Sequence, residues 1–241
     1  MAKPLSPKDG AKTDIEETRS SAADVAAFIE RTQRVAPARS GRGRLIFAMD
    51  ATMSRQPTWD MALGLQSEMF EAVDEIGGLD VQLVYFRGFG ECRASKWVGD
   101  AKTLASVMGK VSCRGGFTQI GKVLAHAKRQ AAADKVNAVV YVGDCMEENI
   151  DMLSQRAGEL GLLGVPMFLF QEGREPAAAT AFKEIARLTR GAYCPFDAGS
   201  AAQLRELLKA VAVYASGGRK ALQAFGERGG KGAALLLEQV S

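Results

Sequence analysis

The stretch LIFAMDATMS, residues 45–54, decides the fold of this chain. Its first five residues, 45–49, are all apolar, which is typical of a strand buried on both faces of a parallel sheet. Asp50, Thr52 and Ser54 follow at once and bring a carboxylate and two hydroxyls onto one short loop. Because open parallel sheets bind their ligands beyond the carboxyl ends of the strands, we expect a site with oxygen ligands here.

Similar apolar runs recur along the chain and alternate with longer amphipathic runs. This alternation predicts an α/β fold with a doubly wound, mostly parallel sheet and helices on both of its faces. Polar and apolar residues alternate over 92–98, which predicts one antiparallel edge strand. Further strands are predicted at 81–86, 138–142, 165–170 and 192–194, and helices at 58–76, 101–110, 118–133, 152–163, 177–189 and 201–214.

Two more polar groups fall where a predicted helix begins or a predicted strand ends. Gly115 and Gly116 precede Thr118 at the start of one helix, and Asp144 follows the strand at 138–142 after a single glycine. Carboxylate and hydroxyl oxygens favour hard cations such as Mg²⁺, which bind through one or two carboxylates and keep several waters. The three groups together therefore indicate a divalent-cation site.

The segments DATMS (50–54), GGFT (115–118) and GD (143–144) resemble the metal-ion-dependent adhesion site of von Willebrand factor A (vWA) domains. The pattern of that family is D-x-S-x-S, then a distant Thr, then a later Asp. The resemblance covers residues 44–214 and is to bacterial-type intracellular members of the family. It implies a vWA, Rossmann-like fold that holds one Mg²⁺ (or Mn²⁺).

The resemblance also implies a role for each ligand. Thr52, Ser54 and Thr118 would supply hydroxyl oxygens directly, and Asp50 and Asp144 would act mainly through bound waters. Thr52 stands where the family more often has Ser, and it keeps the hydroxyl that the site needs. In this family an acidic residue of a protein partner fills the open coordination position. The resemblance thus implies a protein-binding module that acts in complex assembly or stress response.

Two other interpretations of these residues stay open. In the structural interpretation, Asp50, Ser54 and Asp144 only cap a helix or a turn, where Asp and Ser are preferred. In the catalytic interpretation, the chain is a metal-dependent hydrolase or phosphatase that uses the same Asp cluster. Its candidate groups are Asp50, Asp144, Glu147 and Cys145. A haloacid-dehalogenase-type phosphatase needs a second Asp where this chain has Thr52, and no glycine-rich phosphate motif follows a predicted strand. We therefore expect no enzymatic activity.

Composition argues against several classes of partner and location. The 31 basic and 28 acidic side chains give a net charge of +3, which is too balanced to indicate nucleic acid. The most apolar stretch, 160–170, is too short to cross a bilayer and contains Pro166. The polar N-terminus lacks the apolar core of a secretory signal, from which we expect a cytoplasmic protein. The four cysteines are widely spaced and fit reduced thiols, mostly in the core, with a disulfide as the alternative.

Three parts are predicted along the chain. Residues 1–43 comprise a polar tail, an amphipathic helix at 14–34 and a basic linker; residues 44–214 form the vWA domain; residues 215–241 form a Gly-rich basic tail, either mobile or packed as a terminal helix.

The one histidine, His126, lies in a predicted helix and is interpreted as a surface or core residue. Arg55, Gln56 and Trp59 follow the first motif and are candidates to border the partner groove, although for Trp59 the core interpretation is preferred.

Overall fold

A single six-stranded sheet forms the centre of the part of the chain that the structure describes. The structure, a computed structural model, describes residues 42–73, 78–197 and 200–240. The helix predicted at 14–34 and the linker before the domain lie outside these ranges. The strands are β1 (Gly43–Asp50), β2 (Leu79–Arg87), β3 (Glu91–Ala94), β4 (Ala138–Gly143), β5 (Met167–Glu172) and β6 (Ala192–Phe196).

The strand order across the sheet is β3-β2-β1-β4-β5-β6. All neighbours are parallel except β2 and β3, which pair antiparallel at the edge. The predicted fold class is therefore confirmed. The order reverses direction between β1 and β4, so the loops that leave these two strands turn to opposite sides. Such a switch point opens a crevice at the carboxyl ends of the strands, where ligands of doubly wound sheets bind.

The edge strand and β5 differ slightly from the sequence prediction. Strand β3 ends at Ala94, and Val98 makes only an isolated bridge to Val81. Strand β5 begins at Met167 because Pro166 has no N–H to donate to a neighbouring strand.

Helices cover both faces of this sheet. The helix predicted at 58–76 is instead two helices, because the chain tightens into 3₁₀-type hydrogen bonds at Gly64 and Leu65, which donate to Met61 and Ala62. Glycine is a weak helix former, and Leu65 is turned into the core at this break. The helices are α1 (Gln56–Leu63), α2 (Gln66–Glu71), α3 (Ala101–Met108), α4 (Ile120–Ala133), α5 (Ile150–Leu162), α6 (Pro176–Thr189), α7 (Ala201–Glu227) and α8 (Lys231–Leu237).

The apolar run of β1 feeds two separate cores. Leu45, Phe47 and Met49 point to one face of the sheet, and Ile46 and Ala48 point to the other. This alternation follows from the two-residue period of a strand. Helices α1, α2, α3, α7 and α8 pack on the first face, whereas α4, α5 and α6 pack on the second. A strand that is buried on both sides therefore needs the unbroken apolar run that the sequence shows.

The C-terminal residues form part of the first core. Helix α7 runs on past the predicted end at 214, bends where Gly218 has a φ of 68°, and ends at Glu227. Helix α8 then packs against it. Leu222, Ala233 and Leu236 are fully buried, so the glycines expected to break regular structure bend the chain while the apolar residues between them hold it on the domain. Among the described residues, no helix is long and apolar enough to cross a membrane.

Two adjacent leucines of α8 test whether this segment stabilises the domain. Leu236 is fully buried and Leu235 is 54% exposed. Leu236→Ala should lower the free energy of unfolding by about 2–4 kcal/mol, because it removes buried methyl groups and leaves a cavity. Leu235→Ala should change it by less than about 0.5 kcal/mol. Urea unfolding of the full chain measures both. Equal effects of the two substitutions would mean that α8 does not pack on the core in solution.

Candidate metal centre

The pairing of β1 with β4 brings the two predicted aspartates together. Met49 is the register partner of Val142, so Asp50 and Asp144 leave neighbouring strands at nearly the same height. Ligand atoms of Asp50, Asp144 and Cys145 all lie within 4.8 Å of one another. The side chain of Asp50 is buried, whereas that of Asp144 keeps 23% of its surface exposed. The pair is therefore open to solvent on the Asp144 side.

The loop after β1 joins its two hydroxyls to this carboxylate pair. The Thr52 N–H donates to Asp50 Oδ1 at 2.7 Å. The hydroxyls of Thr52 and Ser54 lie 3.4 Å apart, and Ser54 Oγ donates to Asp144 Oδ2 at 3.3 Å. The structure thus gathers four of the five predicted ligands, Asp50, Thr52, Ser54 and Asp144, into one network.

Thr118 enters the site from a different loop. Gly116 packs against the turn between β2 and β3, where a Cβ atom would lie only 2.1 Å from the Gly88 carbonyl oxygen. A glycine is required at this approach. Thr118 is buried, and its Oγ1 accepts a hydrogen bond from the Glu147 N–H at 3.0 Å. Its own N–H donates to Glu147 Oε2 at 3.0 Å. Thr118 is therefore fixed to the segment that follows Asp144; among the described residues it makes no hydrogen bond to the other four predicted ligands.

Two buried carboxylate oxygens of the network have no hydrogen-bond partner among the described residues, Asp50 Oδ2 and Asp144 Oδ1. A buried polar atom without a partner costs about 1–3 kcal/mol, so such atoms point to a missing ligand. Carboxylate and hydroxyl oxygens are the ligands that Mg²⁺ and Mn²⁺ prefer. The donor set therefore fits the divalent cation that the sequence predicts.

Burial and charge shift the pKa values of two groups at the site. Burial raises the pKa of Asp50 from 3.8 to about 6, and the nearby Asp144 adds to the rise, while the Thr52 hydrogen bonds oppose it. Burial, together with Asp144, raises the pKa of the Cys145 thiol to about 12. Because the thiolate is the form that binds metals, this rise favours the oxygen atoms over Cys145 as ligands.

Arg55 is the main feature of the site that the sequence did not reveal. The expectation that it borders a partner groove is wrong, because its side chain is buried. Its Nη2 lies 3.2 Å from Asp144 Oδ2, and its Nη1 donates to Glu172 at the end of β5. Thr58 also donates to Glu172. No sequence signal links Arg55 to Glu172, because the two residues are 117 positions apart.

Two further glutamates order the backbone around the site. Glu147 holds Thr118, as described above. Glu148 accepts hydrogen bonds from the N–H groups of Ile120 and Gly121, the first residues of α4. A carboxylate at this position satisfies N–H groups that have no partner within the helix. Glu148 therefore caps α4, which precedes it in the chain, and not α5, which follows it.

Large apolar side chains are exposed around the site. Met53, between Thr52 and Ser54, is 62% exposed. Phe117 is 56% and Phe89 is 83% exposed, and their rings meet edge to face with centroids 5.4 Å apart. We call Met53, Phe89 and Phe117 the apolar rim. Trp59, in contrast, is buried in the core, in agreement with the sequence interpretation.

Comparison with known proteins finds likeness in structure and none in sequence. No family model matches the chain, and no curated protein matches it. A von Willebrand factor type A protein from Catenulispora acidiphila is 17% identical with a TM-score of 0.58, covering 73% of this chain. This chain spans only 43% of that protein.

Two other solved structures are matched over nearly their whole length. The vWA domain of SpRpn10 is 12% identical with a TM-score of 0.53, and 68% of this chain covers 95% of it. An aerotolerance-related membrane protein from Bacteroides fragilis is 17% identical with a TM-score of 0.51, and 67% of this chain covers 95% of it. At these identities the likeness shows the fold, and the function has to be argued from the site.

The raised pKa of Asp50 predicts a pH-dependent stability. A folded-state pKa of about 6 against 3.8 means that the folded protein binds the proton more tightly, so stability falls as pH rises between these values. In chelator at about pH 7.5, Asp50→Asn should raise the free energy of unfolding by about 3 kcal/mol, because the neutral amide avoids burying a charge. At about pH 4 the gain should vanish.

Urea unfolding at both pH values measures this effect. Asp151→Asn, which removes a carboxylate from the exposed first turn of α5, is the matched control and should show no such gain. The raised pKa of Asp50 would be contradicted if the free energy of unfolding rose from pH 4 to pH 6 by more in the wild type than in Asp50→Asn.

Proposed function

We propose that this chain, which has the fold of a von Willebrand factor A domain, is a protein-binding module that holds one Mg²⁺ or Mn²⁺ and uses it to bind an acidic side chain of a protein partner. The cation ligands in this proposal are Asp50, Thr52, Ser54, Thr118 and Asp144. The observation that carries the proposal is the pair of buried carboxylate oxygens without partners, on Asp50 and Asp144. vWA domains generally mediate protein–protein interactions, which agrees with this role.

The charges around the site favour a cation over an empty site. Asp50, Asp144 and Glu172 outnumber the single guanidinium of Arg55. Arg55 contacts Glu172 and one oxygen of Asp144, and it leaves Asp144 Oδ1 and Asp50 Oδ2 unpaired. A divalent cation supplies the remaining positive charge, and bound waters reach it from the exposed side of Asp144. A carboxylate that arrives from this side can complete the coordination shell.

The apolar rim supports a protein as the partner. Met53, Phe89 and Phe117 lie on the loops that carry or flank the predicted ligands, and all three are more than half exposed. Exposed apolar side chains grouped around a polar centre mark interaction sites, and aromatic residues and Met are enriched in protein interfaces. A partner segment with an acidic residue beside an apolar one would match both features.

The proposal includes the absence of catalysis. The one histidine, His126, lies on α4 with its ring 2.8 Å from Gln82 Oε1, and it takes no part in the Asp50–Asp144 network. Thr52 stands where a phosphatase of the haloacid-dehalogenase type needs its second Asp. The alternative, a metal-dependent hydrolase, would be established by Mg²⁺-dependent turnover of phosphoesters that disappears in Asp50→Asn.

We further propose that the protein acts in the cytoplasm, in complex assembly or stress response. All four cysteines, Cys92, Cys113, Cys145 and Cys194, are free thiols. Reduced cysteines are the rule in the reducing compartments of the cell, which supports this location.

Metal binding is tested by titration calorimetry with Mg²⁺ and Mn²⁺. We expect about one site per chain, and Asp50→Asn should weaken binding by roughly tenfold to a hundredfold because its carboxylate orients the metal's waters. Asp151→Asn removes the same charge from an exposed helix and should bind like wild type. Equal affinities of wild type and Asp50→Asn would show that the cation ligands are misassigned.

Partner binding is tested through its linkage to the metal. A partner is captured from the host on immobilised wild-type protein in Mg²⁺, and its affinity is then measured with Mg²⁺ and with chelator. Coupling between two ligands is reciprocal and typically amounts to about 5–150-fold. Ser54→Ala removes one hydroxyl ligand. It should lower the affinity for the partner in Mg²⁺, and chelator should lower that affinity further by less than it does in wild type.

Ser106→Ala is the matched control for the coupling test, since Ser106 is an exposed serine of α3 on another part of the surface. It should retain the full Mg²⁺ dependence. Equal partner affinity for wild type and Ser54→Ala in both conditions would place the interaction surface away from the cation.

A further inference from the structure

A second cavity, separate from the candidate metal centre, lies between the edge strand β3 and helices α4 and α5. Its volume is about 320 Å³. Five of its lining residues can carry positive charge, and none of the described residues that line it is a carboxylate. We call this the basic cavity. Its basic residues are Arg93, Lys122, His126, Arg129 and Arg156.

Three of these positive charges form no ion pair with a carboxylate of the described residues. Lys122 Nζ donates to the Gly90 carbonyl at 2.7 Å and to Gln119 Oε1 at 2.9 Å, both neutral acceptors. Arg129 makes no hydrogen bond or ion pair within the described residues. Arg156 Nη1 donates to the Gly121 carbonyl at 2.6 Å and likewise forms no ion pair there. Like charges that converge without a counterion repel one another, so an anion between them is strongly favoured.

Nearby carboxylates offset only part of the positive charge of the cavity residues. Glu91 pairs with Arg93 at 3.1 Å and is shared with Arg87. Glu148 lies beside Arg156 and interacts with it electrostatically, and its two oxygens also accept the first N–H groups of α4. Glu148 therefore offsets part of the charge of Arg156, whereas Lys122 and Arg129 have no ion-pair partner among the described residues.

The position of Arg156 depends on a glycine. A Cβ atom on Gly121 would lie 2.7 Å from Arg156 Nη1 and 3.0 Å from Glu148 Oε2. The absence of a side chain lets the guanidinium reach the backbone of α4, which holds it in place before any ligand arrives. A donor group that is already held loses less conformational entropy on binding.

We propose that the basic cavity binds a phosphoryl group, either as free phosphate or carried by a small organic molecule, through Lys122, Arg129 and Arg156. Guanidinium groups match the geometry of phosphate oxygens and bond to them in pairs, and lysine adds a compact positive charge. A volume of about 320 Å³ is at the lower end for small-molecule sites, which suits a phosphoryl group with a small attached moiety. This inference is independent of the proposed metal-binding function.

The single histidine of the chain provides a direct probe of the cavity. His126 lines it, so the ¹⁵N and ¹H resonances of its ring report on this cavity alone in untagged, ¹⁵N-labelled full-length protein. The protein is titrated in Mg²⁺-free buffer with inorganic phosphate, with glycerol 3-phosphate, and with sodium chloride of matched ionic strength. Both phosphates should shift the His126 resonances saturably, and chloride should not.

Arg129→Gln tests the assignment, because Arg129 is exposed and makes no hydrogen bond that the fold requires. It should weaken phosphate binding by roughly tenfold, the scale of one charge-assisted hydrogen bond. Lys102→Gln removes one positive charge from the exposed surface of α3 and should leave the affinity unchanged. The backbone amide spectrum confirms that both variants are folded.

The outcomes distinguish a specific phosphoryl site from a general effect of charge. Tighter binding of glycerol 3-phosphate than of free phosphate supports an organic phosphate as the ligand, and equal binding supports recognition of the phosphoryl group alone. Equal weakening by Arg129→Gln and Lys102→Gln would reduce the effect to general charge and overturn the proposal. A response to chloride as large as the response to phosphate would overturn it as well.

Discussion

The constraint on which the site depends is the placement of two carboxylates at the ends of neighbouring parallel strands. Asp50 and Asp144 meet there because β1 and β4 pair in register at the switch point of the sheet. Two like charges in a partly buried place repel, and burial raises the pKa of Asp50. The surrounding polar groups can be understood as a response to this repulsion. The Thr52 N–H donates to one oxygen of Asp50, and the Ser54 hydroxyl and Arg55 both contact the same oxygen of Asp144.

These hydrogen bonds and ion pairs extend across the carboxyl ends of three strands, β1, β4 and β5. Arg55 is buried with its charge, so it needs a second carboxylate, and Glu172 at the end of β5 supplies it. A buried charge is tolerated only when it is paired and hydrogen-bonded, and Thr58 adds the hydrogen bond. The network therefore ties the loop after β1 to both β4 and β5. It still leaves one oxygen on each aspartate without a hydrogen-bond partner among the described residues.

Helix α4 lies between regions of opposite charge. Its N-terminal turn is bound to Glu148, and the Thr118 that precedes it is bound to Glu147, on the side of the acidic centre. Lys122 and Arg129, further along the same helix, face the basic cavity. The carboxylates are concentrated near the first turn of the helix and the basic groups further along it, although Glu148 also lies beside Arg156. A cation and an anion can be bound at these two places without competing for the same side chains.

The apolar runs determined the sheet, since a strand buried on both faces must be apolar at nearly every position. The strands at 45–49 and 138–142 could therefore be predicted from the sequence alone. The sequence also identified Asp50, Thr52, Ser54 and Asp144 as neighbours, because the carboxyl ends of parallel strands meet at one edge. Only the tertiary structure decided the partners of Arg55, Lys122 and Arg156, the break at Gly64, and the packing of α8. Each of these depends on contacts between residues distant in sequence, and neither periodicity nor local propensity records which distant groups will meet.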